Sequence, residues 1–424
     1  MRVLLNGLIA SHLSPMLPLA WALRAAGHDL LVVGGTDVAA AGRAAGLNAV
    51  PVTGATRNPG GETGPGRARA ERSPRAEESS RPEPSRRPEA SPRPGASPQT
   101  GAPPQPGSAA PAGSPPWDRI LAGKEPQLRA GLGEFVELLA GWRPDLVLTD
   151  PFGYGIQVAA AISGIPVVVH ELGAWDSSVA MNAAARRVFG PLCRERGAEA
   201  GLPEPALVID PTPALLRAPD AGPAHEVRHI PFSGAERIPG WALAPADGER
   251  VCVVFGVWGT RLLADSGRLG EVIGDIAGAA GTVAGRETVV LLDEEHHPAV
   301  GALPAGVRLH APLPLDLVLR GCSAVVHHGG SGSTLTAAAH RVPQVVLPAQ
   351  QPQLAAAGRR VEAAGVGRAL TEADGDLGKA VATALDQVTH DPSVHRAAVL
   401  AGDQIAAMPT PASLVPRLTE LASA

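Results

Sequence analysis

The chain has 424 residues, 45% of them apolar, and a net charge of −5. That length fits two or three domains rather than one. The mild acidity excludes nucleic acid as the main partner, and three widely spaced cysteines exclude a disulfide framework or a zinc ribbon. Gly and Pro number 50 and 43, a load that points toward low complexity. The load has an address: Ala55–Pro116 carries 15 Pro in 62 residues and no Val, Ile, Leu, Met, Phe, Trp, Tyr or Cys. Such a stretch cannot bury enough apolar surface to offset its ordering entropy, so it is expected to lack packed structure. Outside it the composition is that of an ordinary globular protein.

In chain order, Arg2–Leu5 reads as a buried strand and Asn6–Ser14 as a loop. Pro15–His28 reads as a helix, with Pro in its first turn and Gly27 past its end. Leu30–Val33 is the next strand, completing a β-α-β unit with a right-handed crossover. The opening MRVLLNGLIASHL resembles a short signal peptide, but Asn6 and Gly7 interrupt its apolar run, and a first buried strand is the better reading. Strand Leu146–Leu148, a helix near Gly155–Ile162 and strand Val167–Val169 follow. Pro203–Pro245 breaks the pattern and reads as an interdomain connection. Strands resume at Val251–Phe255, Val289–Leu292, Val307–His310, Ala324–His327 and Gln344–Leu347. Fully apolar strands separated by helices imply α/β architecture: two doubly wound, Rossmann-like domains with parallel sheets. No stretch is a convincing membrane span, because Gly and Pro break the uncharged run Pro151–Val169. A cytoplasmic location is expected.

In such sheets ligands bind beyond the carboxyl ends of the strands. Val325–His340, VVHHGGSGSTLTAAAH, stands at one such end. Its glycines let backbone approach a ligand. Ser331, Ser333 and Thr334 are candidate caps for the following helix, whose N-terminus suits a phosphate, and His328 adds a ring donor. No Lys follows, so this is not a Walker A loop, and G-G-x-G is not GxGxxG. A second end carries His12, after the first strand. Imidazole is the side chain suited to general-base work near neutral pH. Asp150 ends a later strand of the same domain, where a carboxylate would hold the imidazole tautomer. HELGAW at His170 lacks the second His of a zinc-protease helix, Glu294–His297 reads as a solvated loop, and Cys252 and Cys322 read as core thiols.

HHGGSGSTLTAAAHRVPQVVLP resembles the donor-site signature of GT-B glycosyltransferases that decorate bacterial natural products. SHLSPMLPLAWALRAAGH, WRPDLVLTDPFGYG and VRHIPFSGAERIPGWA resemble, in order, three other segments of that family. The resemblance spans nearly everything except Ala55–Pro116. It implies an acceptor-binding domain at 1–210 containing the insert, an interdomain connection at 211–248, a nucleotide-sugar domain at 249–405, and a C-terminal helix at 406–424 docking back on the first domain. It further implies a TDP-sugar co-substrate, no metal and no other cofactor. An apolar, flat or macrocyclic acceptor is implied too, modified at a hydroxyl or an activated aromatic carbon. By position, His12 is the base and Asp150 its partner. His328, Gly332, Ser333 and Thr334 hold the pyrophosphate, His310 and Leu313 lie by the nucleobase, and Thr260 lies near the phosphates. Phe152, Tyr154, Trp175 and Asp176, on loops, line the acceptor pocket. Where the family has Asp-Gln to grip sugar hydroxyls, this chain has Gln350-Gln351, which points toward an unusual or heavily deoxygenated sugar. A sugar-nucleotide 2-epimerase and a non-catalytic auxiliary or sugar-nucleotide binding protein are the rival readings, and homodimer formation is left open.

Overall fold

The computed structural model describes residues 1–53, 116–174, 178–232, 234, 237–244, 248–281, 286–347 and 352–423. The Ala55–Pro115 part of the Pro-rich insert, Trp175, Asp176, Gln350 and Gln351 lie outside the described residues.

The first half runs β1 (Arg2–Asn6), α1 (Ala10–Leu13), α2 (Leu17–Ala25), β2 (Asp29–Gly34), α3 (Thr36–Ala44), β3 (Ala49–Pro51), α4 (Pro116–Trp142), β4 (Leu146–Thr149), α5 (Tyr154–Ser163), β5 (Val167–His170), α6 (Val179–Glu195), β6 (Leu207–Asp210) and β7 (His225–Glu226). The second half runs α7 (Gly240–Leu243), β8 (Arg250–Val254), α8 (Gly256–Asp265), α9 (Leu269–Gly281), β9 (Glu287–Leu291), β10 (Val307–His310), α10 (Leu315–Leu319), β11 (Ala324–His327), α11 (Ser331–Ala339), β12 (Gln344–Val346), α12 (Pro352–Ala363) and β13 (Gly367–Ala369). Three helices close the chain: α13 (Leu377–His390), α14 (Pro392–Ala407) and α15 (Pro411–Ser423).

Two all-parallel sheets result, ordered β3-β2-β1-β4-β5-β6-β7 and β10-β9-β8-β11-β12-β13. In each, strand order reverses beside the first strand in sequence. The switch points therefore fall between β1 and β4 and between β8 and β11, where open α/β sheets hold ligands. The middles of the central strands are apolar because helices cover both faces. On one face of the first sheet, α4 presents Leu121, Leu128, Leu132, Phe135 and Leu139 at helical spacing, all buried. On the other face, Leu19 and Leu23 of α2 share a core with Leu414 and Leu418 of α15. Burying each of those leucines contributes about 2 kcal/mol, so the C-terminal helix is held firmly on the first domain's core.

The structure differs from the sequence reading in several places, three of them in the first half. The loop expected at Asn6–Ser14 contains the short helix α1, which carries His12. The stretch expected as connection contributes β6 and β7, so the first sheet runs past residue 210 to Glu226. Strands of four and two residues among prolines carry too little pattern to be seen in sequence. Pro116, counted with the insert, instead opens α4, as its fixed φ allows at a helix start. No helix among the described residues is long and apolar enough to cross a membrane.

Candidate active site

The first switch point holds His12 and Asp150. They lie 138 positions apart in sequence but leave adjacent strands, β1 and β4. Asp150 is fully buried, and its charge is met by backbone: Leu8 N–H donates to Oδ2 at 2.5 Å and Phe152 N–H donates to Oδ1 at 2.6 Å. His12 Nδ1 stands 3.4 Å from Asp150 Oδ2, within ion-pair range though not aligned as a hydrogen bond. The imidazole side chain is 17% exposed with Nδ1 buried, so its accessible edge is the one away from the carboxylate. The Phe152 ring centroid lies 5.5 Å from that of the imidazole, the two planes 32° apart.

Phe152 and Tyr154 also line a small apolar cleft of about 50 Å³ with Leu8, Trp117, Leu121 and Met181. Tyr154 is not on a loop as expected; it is the first residue of α5, its ring 5.3 Å from Phe189. Burial, with help from Asp150 and Glu171, pushes its hydroxyl pKa well up, so it stays protonated.

The second switch point holds the loop from His327 to Ser333. His327 is fully buried. Its Nδ1 accepts from Gly329 N–H at 3.1 Å, which leaves Nε2–H to donate to Gln344 Oε1 at 2.9 Å. Gln344 Nε2 in turn donates to the Thr334 carbonyl at 3.3 Å, fixing the first turn of α11 from beneath. Gly329 has φ +87°, and a Cβ there would lie 2.8 Å from the Leu354 carbonyl oxygen, so only glycine makes this turn.

His328 fills a slot that glycines leave open. A Cβ on Gly259 would come within 2.7 Å of its ring, and one on Gly330 within 2.7 Å of Nε2. Burial first, and the neighbouring His327 second, drop its pKa to about 3. It is therefore neutral at working pH and offers a hydrogen bond, not a charge. Its Nδ1 has no hydrogen-bond partner among the described residues.

The N-cap of α11 is Gly330, and no side chain caps the helix. The expectation that Ser331, Ser333 and Thr334 cap it is thus corrected: they occupy the first turn itself. Thr334 is buried and its hydroxyl donates to the Gly330 carbonyl at 3.0 Å, so it braces the turn instead of facing a ligand. The first intrahelical bond is Thr334 N–H to Gly330 O, which leaves the N–H groups of Ser331, Gly332 and Ser333 for an anion.

Three further expectations meet the structure as follows. Thr260 lies inside α8 and is buried, because the strand-end loop expected at Val257–Thr260 is helical. The Leu313 side chain belongs to the core with Val289, Leu291 and Val318, so only its backbone can meet a nucleobase. His310 ends β10, and its Nδ1–H donates to the Ala311 carbonyl at 2.9 Å. Its ring meets Trp241 of α7 edge-on at 5.6 Å, and the same indole carries Arg308 at 4.8 Å. Trp241, Gly259 and Gln344 were not singled out from sequence, and His327 was read only as a strand end in the loop motif, since each acts through a fold neighbour far along the chain. The two halves meet at the site itself. Gly173, after β5, has φ +130°, and a Cβ there would lie 3.1 Å from Ser331 Cβ and 2.7 Å from Leu335.

Two parallel-sheet domains, with a His–Asp pair at one switch point and an uncapped helix N-terminus at the other, are the plan of a GT-B glycosyltransferase. The solved structure of the spinosyn rhamnosyltransferase SpnG shares it, with TM-score 0.78 and 28% identity over 99% of this chain and 100% of that one. SpnG has also been solved with thymidine diphosphate and with spinosyn aglycone. Among curated proteins, L-demethylnoviosyl transferase of Streptomyces niveus is 33% identical over 97% of this chain and 96% of its own length. Tylactone mycaminosyltransferase of Streptomyces fradiae is 31% identical over 99% and 92%. Residues 128–256 and 276–421 match the N- and C-terminal domain models described as erythromycin biosynthesis protein CIII-like. The chain belongs to that family and is a glycosyltransferase.

Proposed function

We propose that this enzyme transfers a sugar, with inversion at the anomeric carbon, from a thymidine diphosphate-linked donor to a polyketide-like acceptor. The observation that carries the reading is the pairing of a buried-carboxylate imidazole, His12–Asp150, with the uncapped N-terminus of α11 across one domain junction. The thymidine diphosphate bound in SpnG and the named sugar transferases of antibiotic pathways support the substrate classes.

His12 takes the proton of the acceptor hydroxyl through its accessible edge, and Asp150 stabilises the resulting imidazolium. The acceptor oxygen attacks C1 opposite the diphosphate, and the C1–O bond electrons leave with that group. Negative charge grows there, where the N–H groups of Ser331, Gly332 and Ser333 and the neutral imidazole of His328 donate to it. His310 and the backbone at Leu313 hold the nucleobase with Trp241 behind. Gln350 and Gln351 grip the sugar, and the apolar cleft at Phe152 and Tyr154, with Trp175 and Asp176, takes the acceptor. No metal or other cofactor enters this step.

The test is direct. TDP should bind in a calorimeter. A TDP-deoxysugar with a panel of macrolactone and aromatic polyketide aglycones should yield a glycoside of inverted anomeric configuration by NMR. A retained configuration, or no TDP binding, refutes the reading.

Gly332 offers a sharper check of the donor site. A Cβ there meets nothing within 4 Å, and helical Gly→Ala gains about 0.5–1 kcal/mol. Gly332→Ala should therefore fold as well as the parent while its methyl stands where the pyrophosphate approaches, cutting TDP affinity about tenfold or more. Unchanged TDP affinity would remove the α11 N-terminus from the donor site.

A further inference from the structure

Two buried polar residues end the strands that carry the His–Asp pair. Asn6 closes β1 and Thr149 closes β4, directly opposite each other in register, with Val33 of β2 opposite Asn6 on its other side. Asn6 is 4% exposed and Thr149 is fully buried. The Thr149 hydroxyl donates to Asn6 Oδ1 at 3.1 Å, and Asn6 Nδ2 donates to the Val33 carbonyl at 2.8 Å. One side-chain knot thus ties three strand ends. The following loop lies flush on it. A Cβ at Gly153 would fall 2.0 Å from Thr149 Oγ1 and 2.8 Å from Asn6 Oδ1, so only glycine lets that loop settle.

The reacting groups leave the protein from this knot. Asp150 is the next residue after Thr149. Leu8, two residues after Asn6, gives Asp150 one of its backbone hydrogen bonds, and Phe152, just before Gly153, gives the other. A sheet end needs no asparagine or threonine for its own sake, since the buried residues before them, Val3–Leu5 and Leu146–Leu148, are all apolar. Burying these polar groups gains nothing over apolar packing unless their geometry matters.

We propose that Asn6 and Thr149 are positioning residues. They lock the carboxyl ends of β1, β2 and β4 in one register, so that both oxygens of Asp150 meet backbone N–H groups and Oδ2 faces His12 Nδ1. The inference rests on His12 being the base. Side chains that orient a catalytic group act through sub-ångström placement, and a misplacement of about 1 Å costs about 100-fold in rate.

The test uses the full chain with histidines isotopically labelled, so that the His12 titration and tautomer ratio are read by NMR without any substrate. TDP release from TDP-glucose, with water as acceptor, serves as the turnover probe. Thr149→Val keeps the shape and removes the donor; Thr149→Ala is the second variant in case the first misfolds. Both should displace the His12 titration curve and lower kcat about 10- to 100-fold, with TDP affinity unchanged. Thr149→Ser should restore both readouts. In a His12→Ala background Thr149→Val should cost no further turnover, since the knot acts only through the imidazole. A wild-type His12 titration in folded Thr149→Val, additive losses in the double variant, or failure of both the Val and Ala variants to fold would each overturn the inference in favour of a purely structural pair. Wild-type turnover in His12→Ala itself would instead overturn the base assignment on which it rests.

Discussion

Replacing His12 with alanine should lower kcat for sugar transfer by about 10²- to 10⁴-fold, the usual contribution of a general base, equal to about 3–5 kcal/mol of barrier. TDP affinity should stay within about twofold, because His12 and the α11 N-terminus belong to different domains and share no hydrogen-bond partner among the described residues. Asp150→Asn should fall between the parent and His12→Ala. The amide keeps the volume of the buried carboxylate and one oxygen to accept from backbone, but it carries no charge to stabilise the imidazolium. An amide nitrogen must also replace one oxygen that now accepts from Leu8 or Phe152 N–H, which puts two donors face to face. Single-turnover transfer with saturating donor separates the chemical step from binding. Retention of the parent rate in His12→Ala would leave the pair without a catalytic role.

How much of this was legible in the sequence follows from where the information sits. Val3–Leu5, Val147–Leu148 and Val251–Val253 are apolar on both sides because both faces are covered, and that is visible residue by residue. Strands β3, β7 and β13 are two or three residues long and partly exposed, so neighbours rather than sequence define them. His12 and Asp150 could be placed at strand ends, and the topology then does the rest by making β1 and β4 adjacent. Thr334, Leu313 and Thr260 show the opposite case. Each lies in a stretch with the right local chemistry, yet packing turns its side chain inward, to the Gly330 carbonyl or the core. Whether a hydroxyl faces ligand or its own helix depends on a register of one residue, about 100° of helix turn, which a motif does not fix. The pairings of His327 with Gln344 and of Asn6 with Thr149 were invisible for a related reason: buried polar pairs have meaning only through partners that the fold brings together.

The buried histidines make a second strong expectation, that the enzyme loses its fold on mild acidification. Burial lowers the pKa of His170 and His327 to about 4, and of His229 and His328 to about 3. For His170 and His327 burial outweighs the hydrogen bonds that favour the charged form, to the Glu171 carbonyl and to Gln344. For His229 and His328 neighbouring imidazoles add to it. A histidine whose folded pKa lies below its unfolded value of about 6.5 leaves the unfolded chain with more bound protons between those two values. Stability is therefore complete above pH 6.5 and is lost as pH falls below it. Each group costs about 1.4 kcal/mol per pH unit, and four together about 5 kcal/mol per unit, against a total stability of about 5–15 kcal/mol. Unfolding by pH 4.5–5 is expected at this order of magnitude, with uptake of about four protons. The donor side should go with it, because His328 lies at the α11 loop and His229 Nε2 lies 3.3 Å from Thr336 Oγ1 on α11. Urea midpoints measured from pH 8 to pH 5 read the slope directly, and His229→Gln, which keeps a polar group for Thr336, should reduce it by about one proton. A slope under one proton across that range would mean that these imidazoles are not buried neutral in the native enzyme.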